Sequence, residues 1–484
     1  MNLALSLASA VLLILIFPRF SFTWLAPFAL TPLLIACARE RLWKLRWIYG
    51  WAAGIVFWFS VCTWIQFVLE VHGGMGRWGG WGTFLLFAVL KGLHLALFAA
   101  VAGFLMHRWW AIPAVAALWT GIERTHGPLG FAWLDLGNAG IDMPIAMRLA
   151  PFLGVYGISF VFAMLACAVA VLILRKSRAE LAWLLVLPLL WLLPRTPQPT
   201  AGNQQALVVQ PNIDTEMEWT AESLADTERT LERLSVAPGA NLILWPEVPA
   251  PFYPGDPQFL AYTSRIAQRS RTYFLFGGVG YNPAKDPLNS AFMLDPSGRI
   301  EDRYDKINLV PFGEFVPPIF GWVNRITKEA GDFAPGNRVV VFPVNGHKVG
   351  AFICYESAFP DLVREFARGG AQVLVNLSND GYFGHSEARE QHLSLVRMRA
   401  AENRRWIIRS TNDGLSAIID PAGRIRQEMP PYRELAETVR YNYSEVETPY
   451  TRYGDWFAWS CLILSLGLTA YEWRITRTSP SFTM

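Results

Sequence analysis

The sequence predicts a polytopic α-helical membrane domain, a following α/β domain and one closing membrane helix. Of its 484 residues, 52% are hydrophobic and 17% are charged, whereas a typical soluble domain carries about 25% charged residues. The apolar residues dominate 1–194, give way to an ordinary α/β composition over 195–454, and dominate again from 455. We therefore assign a membrane domain to 1–194, an α/β domain to 195–454, and a final helix with a short tail to 455–484.

Eight apolar segments are candidate transmembrane helices, because a span requires roughly 20 mostly apolar residues. They are 3–17, 21–38, 47–69, 82–106, 109–122, 152–174, 180–194 and 456–473. No positive residue precedes the first segment and another apolar segment follows it directly, so we interpret it as a membrane helix and not as a cleaved signal peptide. About seven helices are thus expected in the N-terminal domain.

Basic residues in short connections predict the orientation of the chain, since cytoplasmic loops of membrane proteins carry an excess of Lys and Arg. The clusters are Arg39, Arg41, Lys44 and Arg46, then Arg175, Lys176 and Arg178, and finally Arg474 and Arg477. With eight spans and a cytoplasmic N-terminus, all three clusters fall on the cytoplasmic side. The same count places 195–454 on the outer side of the membrane.

Short β-rich runs alternate with helical segments between 205 and 420, a pattern typical of buried sheet covered by helices. The predicted strands are 206–210, 242–245, 273–277, 291–294, 339–342, 349–354, 373–377, 406–409 and 417–419. The predicted helices are 221–235, 256–270, 360–369 and 387–403. Turn sequences at 295–298 and 420–423 end two of the strands.

Several predicted strands end at polar residues. Glu247 follows the strand at 242–245, Cys354 ends the strand at 349–354, and Asp380 follows the strand at 373–377. Ligands bind in the crevice beyond the carboxyl ends of strands in open α/β sheets, so an acid and a thiol could meet there in one pocket. Cys354 is the only thiol in this domain, since Cys37, Cys62, Cys167 and Cys461 lie in or at the ends of predicted spans. It is a candidate nucleophile; a structural cysteine in the core is the alternative.

Three ordered motifs resemble the Glu–Lys–Cys triad of the nitrilase superfamily. They are Trp245-Pro246-Glu247, Arg303-Tyr304-Asp305-Lys306 and Ile353-Cys354-Tyr355-Glu356. Longer strings at 306–317, 378–380, 391–392 and 409–412, set between flanking membrane spans, extend the likeness. Over nearly its whole length the sequence resembles the family of bacterial apolipoprotein N-acyltransferases.

This resemblance implies a nitrilase-like αββα sandwich, located on the periplasmic side of the bacterial cytoplasmic (inner) membrane. It implies that an acyl chain from a phospholipid forms a thioester with Cys354 and then passes to the α-amino group of a diacylglyceryl-cysteine at a lipoprotein N-terminus. Glu247 is then the base and Lys306 the cation beside the oxyanion. Phospholipid, a diacylglyceryl-lipoprotein acceptor and membrane lipid are the implied partners, and neither a cofactor nor a metal is implied.

The triad suits the chemistry of thioester formation. An ordinary thiol, with a pKa near 8.5, is only a few per cent ionised at neutral pH. A carboxylate within hydrogen-bond reach can take the proton as the sulfur attacks the ester carbonyl. A cation beside the developing oxyanion typically contributes about 10²–10³ in rate.

Further positions match supporting residues of that family. They are Trp219, Asn289, Glu314, Tyr355 and Glu356. For Glu314, a surface or loop-capping role is the alternative. Tyr382 stands where Trp is expected and Asp413 where Asn is common, and both departures concern acyl-chain or acceptor preference. The apolar stretch 317–322 is expected to form either a lid that dips into lipid or interfacial packing.

Other functions fit parts of the sequence. A membrane-tethered nitrilase-type amidohydrolase would use the same triad on a soluble amide or nitrile, but the numerous spans favour the transferase. A transporter would need a polar pathway within the spans, and these contain few polar residues. The spacing of His385, Glu387 and His392 matches no known metal motif. A net charge of +3 without aromatic-interleaved basic runs predicts no nucleic-acid partner.

Overall fold

The computed structural model describes residues 1–129, 131–198, 200–236, 239–315 and 333–478. The chain forms two compact units. The helical unit comprises 1–66, 81–196 and the residues from 453 onward. The α/β unit comprises 67–80 and 197–452, so a short segment that the sequence assigned to the membrane domain groups with the α/β unit.

The N-terminal 200 residues and the C-terminus are almost entirely helical. The α-helices are α1 (Asn2–Leu15), α2 (Thr31–Arg39), α3 (Trp43–Val61), α4 (Trp64–Phe67), α5 (Gly76–Lys91), α6 (Leu93–Leu105), α7 (Ala111–Arg124), α8 (Ala150–Ile173), α13 (Pro449–Tyr453) and α14 (Trp456–Thr478). Four 3-10 helices cover Thr23–Phe28, Leu136–Gly140, Ala146–Arg148 and Arg178–Leu192, and a π-helical turn covers Val68–His72.

Among the described residues, two helices are long and apolar enough to cross a membrane, and a third qualifies if a bent pair counts as one span. The two are Gly76–Leu105, which joins α5 and α6, and α8. The bent pair consists of α3 and Trp64–His72, which meet at 63° where the sequence predicted one continuous helix. These apolar helices make this a membrane protein. The total of eight spans and the orientation stay predictions.

Close helix contacts in the helical unit depend on glycine. A Cβ at Gly50 in α3 would lie 2.4 Å from the carbonyl oxygen of Leu95 in α6, and a Cβ at Gly54 would lie 2.7 Å from Gly92. Small residues of this kind let helix backbones approach closely within a membrane. A salt bridge of 2.6 Å between Arg124 and Asp455 joins the end of α7 to the residues before α14.

The α/β unit contains two six-stranded sheets. The strands are β1 (Gln204–Gln210), β2 (Leu242–Leu244), β3 (Tyr273–Tyr281), β4 (Pro287–Leu294), β5 (Ile300–Asp305), β6 (Val341–Val344), β7 (His347–Ile353), β8 (Val373–Ser378), β9 (Ile407–Thr411), β10 (Ala417–Ile419), β11 (Ile425–Glu428) and β12 (Leu435–Tyr441). The first sheet has the order β12-β1-β2-β3-β4-β5 and the second β11-β10-β9-β8-β7-β6. Strands β1, β2 and β3 are parallel, as are β7, β8 and β9.

The two faces of a strand pack against different layers, because successive side chains of a strand point to opposite faces. Ala206 and Val208 of β1 join the core that contains residues of both sheets. Leu207 and Val209 pack with the helices outside the first sheet. The longer helices of this unit are α9 (Ala221–Leu234), α10 (Pro257–Ser270), α11 (Pro360–Arg368) and α12 (Ala388–Asn403). The predicted nitrilase-like αββα sandwich is confirmed.

Candidate active site

Glu247 lies on a tight turn after β2. The Trp245 amide donates to the Leu275 carbonyl at 3.0 Å, and the Gly277 amide donates to Pro246 at 3.2 Å, so the turn lies directly on β3. A Cβ at position 277 would lie 2.5 Å from the Val248 nitrogen, and Val248 itself has a positive φ of 28°. Backbone packing against a glycine thus sets the position of Glu247.

Lys306 follows β5 and its side chain is almost completely buried, with 1% exposed. Its amide donates to the Asn289 carbonyl at 2.8 Å, and its own carbonyl accepts from Gly336 at 2.7 Å. The Nζ atom lies 3.0 Å from Glu247 Oε1 and 2.9 Å from Glu314 Oε1. Burial alone would lower the pKa of Lys306, but the carboxylates of Glu247 and Glu314 raise it well above its ordinary value.

Asn289 and the backbone complete the contacts of the two carboxylates. The side-chain amide nitrogen of Asn289 donates to Glu247 Oε1 at 2.8 Å and to Glu314 Oε1 at 2.6 Å. Glu247 Oε2 accepts from the Asn379 amide at 3.0 Å, and Glu314 Oε2 accepts from the Val310 amide at 2.8 Å. Glu314 therefore belongs to this cluster, contrary to the surface role that the sequence left open.

Cys354 directly follows β7 and begins a 3-10 helix, Cys354–Ala358. It is 7% exposed and has a positive φ of 49°. Burial and the charge of Glu247 raise the pKa of its thiol, while Lys306 acts in the opposite direction. The resting sulfur is therefore protonated at neutral pH, and its attack on a carbonyl requires a base.

Glu356 fastens the Cys354 segment to the Lys306 segment. Its fully buried carboxylate accepts from the Ile353 amide at 2.7 Å on one oxygen, and from Tyr304 and the Ile307 amide, each at 2.7 Å, on the other. Burial raises its pKa to about 7, although the Ile353 amide and the Tyr304 hydroxyl act in the opposite direction. Glu356 thus links the backbone segments of the two predicted catalytic groups, and its supporting role stays a prediction.

Trp219 and Tyr355 have less defined contacts. Trp219 lies just before α9 and is 37% exposed. Tyr355 is buried and packs its ring against Phe359 at a centroid distance of 5.1 Å. Their supporting roles stay predictions. The predicted lid at 317–322 lies outside the described residues.

The two departures from the family pattern have clear surroundings. Tyr382 contacts the ring of His72 at a centroid distance of 4.3 Å, within the α/β unit. The Tyr382 side chain is 44% exposed. Asp413 forms a 2.8 Å salt bridge with Arg389.

Sequence reasoning gave no role to a buried cluster behind Cys354. It consists of Ser378, Asp380, His392 and Arg409, all completely buried. The sequence predicts only that Asp380 follows a strand, and it offers His392 only as a metal ligand. A clearer signal is the charge of Arg409 within a strand that is otherwise apolar up to that position. Such a charge is almost never fully buried unless it is paired.

His385 and His392, two of the weighed metal ligands, make contacts with protein groups. His385 stacks on Tyr432 at a centroid distance of 4.5 Å. His392 hydrogen-bonds the Cys354 carbonyl. Within the described ranges, no group of three or more His, Cys, Asp or Glu side chains has the arrangement of a metal site.

Two family models match the chain. Residues 205–439 match the carbon-nitrogen hydrolase model, and residues 9–168 match the apolipoprotein N-acyltransferase N-terminal domain. An apolipoprotein N-acyltransferase of Geobacter metallireducens is 33% identical over 97% of this chain and 95% of its own length. One from Nitrosomonas europaea is 31% identical over 93% and 95%. The solved structure of Saccharomyces cerevisiae Nit3, a member of branch 10 of the nitrilase superfamily, covers 49% of this chain and 90% of its own, with 18% identity and a TM-score of 0.40.

Proposed function

Because the chain belongs to the apolipoprotein N-acyltransferase family, we propose that it transfers a fatty acyl chain from a phospholipid to the α-amino group of a lipoprotein's N-terminal S-diacylglyceryl-cysteine. Cys354 is the nucleophile, Glu247 the base and Lys306 the oxyanion-side cation. The observation that carries this proposal is the 3.0 Å contact of Lys306 with Glu247 beside a buried thiol whose pKa both groups affect.

In the first half-reaction, Cys354 Sγ attacks the ester carbonyl of the phospholipid. The S–H bond breaks and its proton passes to Glu247, while the C–S bond forms and the carbonyl oxygen becomes an oxyanion. The ammonium of Lys306 stabilises this oxyanion. The ester C–O bond then breaks, and the lysophospholipid oxygen leaves with the proton that Glu247 held. The acyl chain remains on Cys354 as a thioester.

In the second half-reaction, the neutral α-amine of the acceptor attacks the thioester carbonyl. The C–N bond forms, an N–H proton passes to Glu247, and Lys306 again faces the oxyanion. When the C–S bond breaks, the sulfur regains a proton from Glu247 and the enzyme returns to its starting state. Glu314 and Asn289 keep Glu247 in place throughout, since both are bonded in the same cluster.

The membrane setting supports a lipid donor and a lipid-linked acceptor. The apolar helices of the helical unit are suited to a bilayer. The basic clusters of the sequence support an α/β unit on the outer side of the membrane, which for this family we take to be the periplasmic side of the bacterial inner membrane. Exclusion of water is what separates such a transferase from a hydrolase that uses the same three residues. A membrane-tethered nitrilase-type amidohydrolase is therefore the alternative to be tested.

The test uses the purified full-length protein with phospholipid alone, followed by mass spectrometry of the Cys354 peptide. We expect a mass increase equal to one acyl chain in thioester linkage, which hydroxylamine removes. Cys354→Ala should lose this mass. Cys461→Ala, which removes another buried thiol, should keep it.

Addition of a diacylglyceryl-cysteine peptide then separates the two functions. A transferase passes the acyl chain to the peptide amine and yields little free fatty acid. Release of the chain to water alone, at the same rate with and without peptide, would identify a hydrolase. Absence of any acyl mass on Cys354 would refute the proposed intermediate.

A further inference from the structure

The backbone of Cys354 is held in a conformation that a cysteine rarely adopts. Its φ of 49° lies in the left-handed region, where the Cβ of an L-residue comes too close to the backbone. Cys354 lies at the junction where β7 ends and the short 3-10 helix Cys354–Ala358 begins. Strain of this kind persists only where surrounding groups fix the backbone.

One of those groups is the imidazole of His392, which is completely buried on α12. Its Nε2 atom lies 2.9 Å from the carbonyl oxygen of Cys354. A carbonyl oxygen only accepts, so Nε2 carries the proton and donates. Burial, aided by Arg409, lowers the pKa of His392, which leaves one proton on the ring.

Asp380 and Arg409 fix the orientation of this imidazole. His392 Nδ1 lies 3.2 Å from both Arg409 Nη2 and Asp380 Oδ1, and Arg409 Nη2 donates to the two oxygens of Asp380 at 2.8 and 2.7 Å. The guanidinium is further fixed by the Leu415 carbonyl at 3.1 Å and by Asn376. Because Nε2 faces a carbonyl oxygen that only accepts, the single ring proton lies on Nε2, and Nδ1 accepts from Arg409.

The same cluster reaches the sulfur. The hydroxyl of Ser378 donates to Asp380 at 2.8 Å and also interacts with the Cys354 thiol. Asp380 is thus connected to Cys354 twice, through His392 at the carbonyl and through Ser378 at the side chain. These contacts come from α12, from β9 and from the residues at and just after the end of β8.

We propose that His392 is a positioning residue for the nucleophile: its Nε2–H holds the Cys354 carbonyl and thereby keeps the thiol aimed at Glu247 and Lys306. The inference rests on the proposed function. Without the hydrogen bond, the peptide can relax out of the left-handed region, which rotates the Cα–Cβ bond and moves the sulfur. A displacement of about 1 Å at a reacting atom can cost about 10²-fold in rate.

Glutamine and asparagine at position 392 provide the discriminating pair. The amide nitrogen of Gln can take the place of Nε2, whereas the shorter Asn reaches only to the place of Nδ1. We expect His392→Gln to retain most of the single-turnover rate of thioester formation. His392→Asn and His392→Leu should lose about 10²-fold in that rate at saturating phospholipid, with the KM for phospholipid unchanged.

His347→Leu is the matched control. His347 lies at the start of β7, at the other end of the strand from Cys354, and its ring stacks on Tyr443. It should leave the rate unchanged. Thermal unfolding of each variant in detergent reports folding, and if His392→Leu does not fold, the Gln and Asn variants decide. Equal rates of thioester formation in His392→Gln and His392→Asn, whether high or low, overturn the inference. Failure of the wild-type protein to form a thioester refutes the proposed function instead.

Discussion

Lys306 carries a buried positive charge that contacts two carboxylates at once, Glu247 and Glu314. Breaking a buried, hydrogen-bonded ion pair by removing one partner typically costs about 3–5 kcal/mol, because the other charge stays buried and unpaired. Cys354 is neutral instead, because burial and the charge of Glu247 both raise the pKa of its thiol. The protonation states at this site thus follow from which groups are paired in the interior.

The raised thiol pKa makes a testable difference between base-assisted and unassisted attack. In Glu247→Gln, no base is present, so only the Cys354 thiolate reacts with iodoacetamide. The thiol pKa stays raised in this variant, because burial, the largest cause of the raised pKa, remains. Since the folded pKa lies above the ordinary 8.5, the thiolate fraction keeps growing through the accessible range. We expect the alkylation rate of Cys354 to rise about tenfold per pH unit from about pH 7 to 9. Mass spectrometry of the Cys354 peptide measures this rate.

In the wild-type protein the same rate should change much less with pH, because Glu247 accepts the proton directly. Glu314→Gln is the control: it removes a carboxylate from the same cluster but keeps the base, so its pH profile should stay shallow. A steep profile in all three proteins would remove Glu247 from the role of base. A plateau below pH 8 in Glu247→Gln would contradict the raised thiol pKa.

At the scale of elements, the turns after strands position the reacting groups more than the strands themselves. The Glu247 turn lies against β3 at Gly277, and the Cys354 turn is tied by Glu356 to the residues after β5. The sequence around Gly277 does not predict its contact with the Glu247 turn, since the residue lies within a predicted strand. Its requirement for glycine arises from a backbone that comes from 30 residues earlier in the chain.

Gly277→Ala should disturb Glu247 without removing any polar group. The added Cβ would lie 2.5 Å from Val248 N and 2.7 Å from the Pro246 carbonyl. Both are backbone atoms, so the turn must shift. We expect thioester formation to slow by about 10²-fold, the effect of misplacing a reacting group by about 1 Å. Single-turnover kinetics with labelled phospholipid measures the rate.

Gly255→Ala is the matched control, because a Cβ there meets nothing within 4 Å. It should retain the wild-type rate and thermal stability. Should both variants react at the same rate, the position of Glu247 would not depend on its packing against β3.

At the scale of the whole molecule, orientation across the membrane decides which substrates reach Cys354. The prediction rests on basic residues in short connections, which remain in the cytoplasm. We expect Val236→Cys, at an exposed position of the α/β unit, to react with an impermeant maleimide in intact spheroplasts. Arg41→Cys, between α2 and α3, should react only after permeabilisation. Gel-shift detection of the label measures both.

The native thiols give little background, since all five cysteines are buried. The wild-type protein is therefore the control for both variants. Labelling of Arg41→Cys but not Val236→Cys in intact spheroplasts would reverse the orientation. A periplasmic acceptor would then be inaccessible to the site.

The sequence by itself determined the α/β layers and the candidate reacting groups. The helical segments between the β-rich runs predicted the helices of the α/β unit to within a residue or two, since a helix is recognised from a local pattern. Three edge strands, β5, β11 and β12, were missed because polar or charged residues interrupt them and they are only partly buried. Glu247, Lys306 and Cys354 were named from motifs, and their catalytic roles stay predictions.

Only the tertiary structure decided how those groups are held. Asn379 is 132 residues from Glu247 in the chain, and Lys306 is 59 residues from it, yet each bonds its carboxylate. The left-handed backbone of Cys354 and its contact with His392 also have no local pattern. The physical reason is that a buried polar group must find its partner in space. That partner is set by how sheets and helices pack, and not by neighbours in sequence.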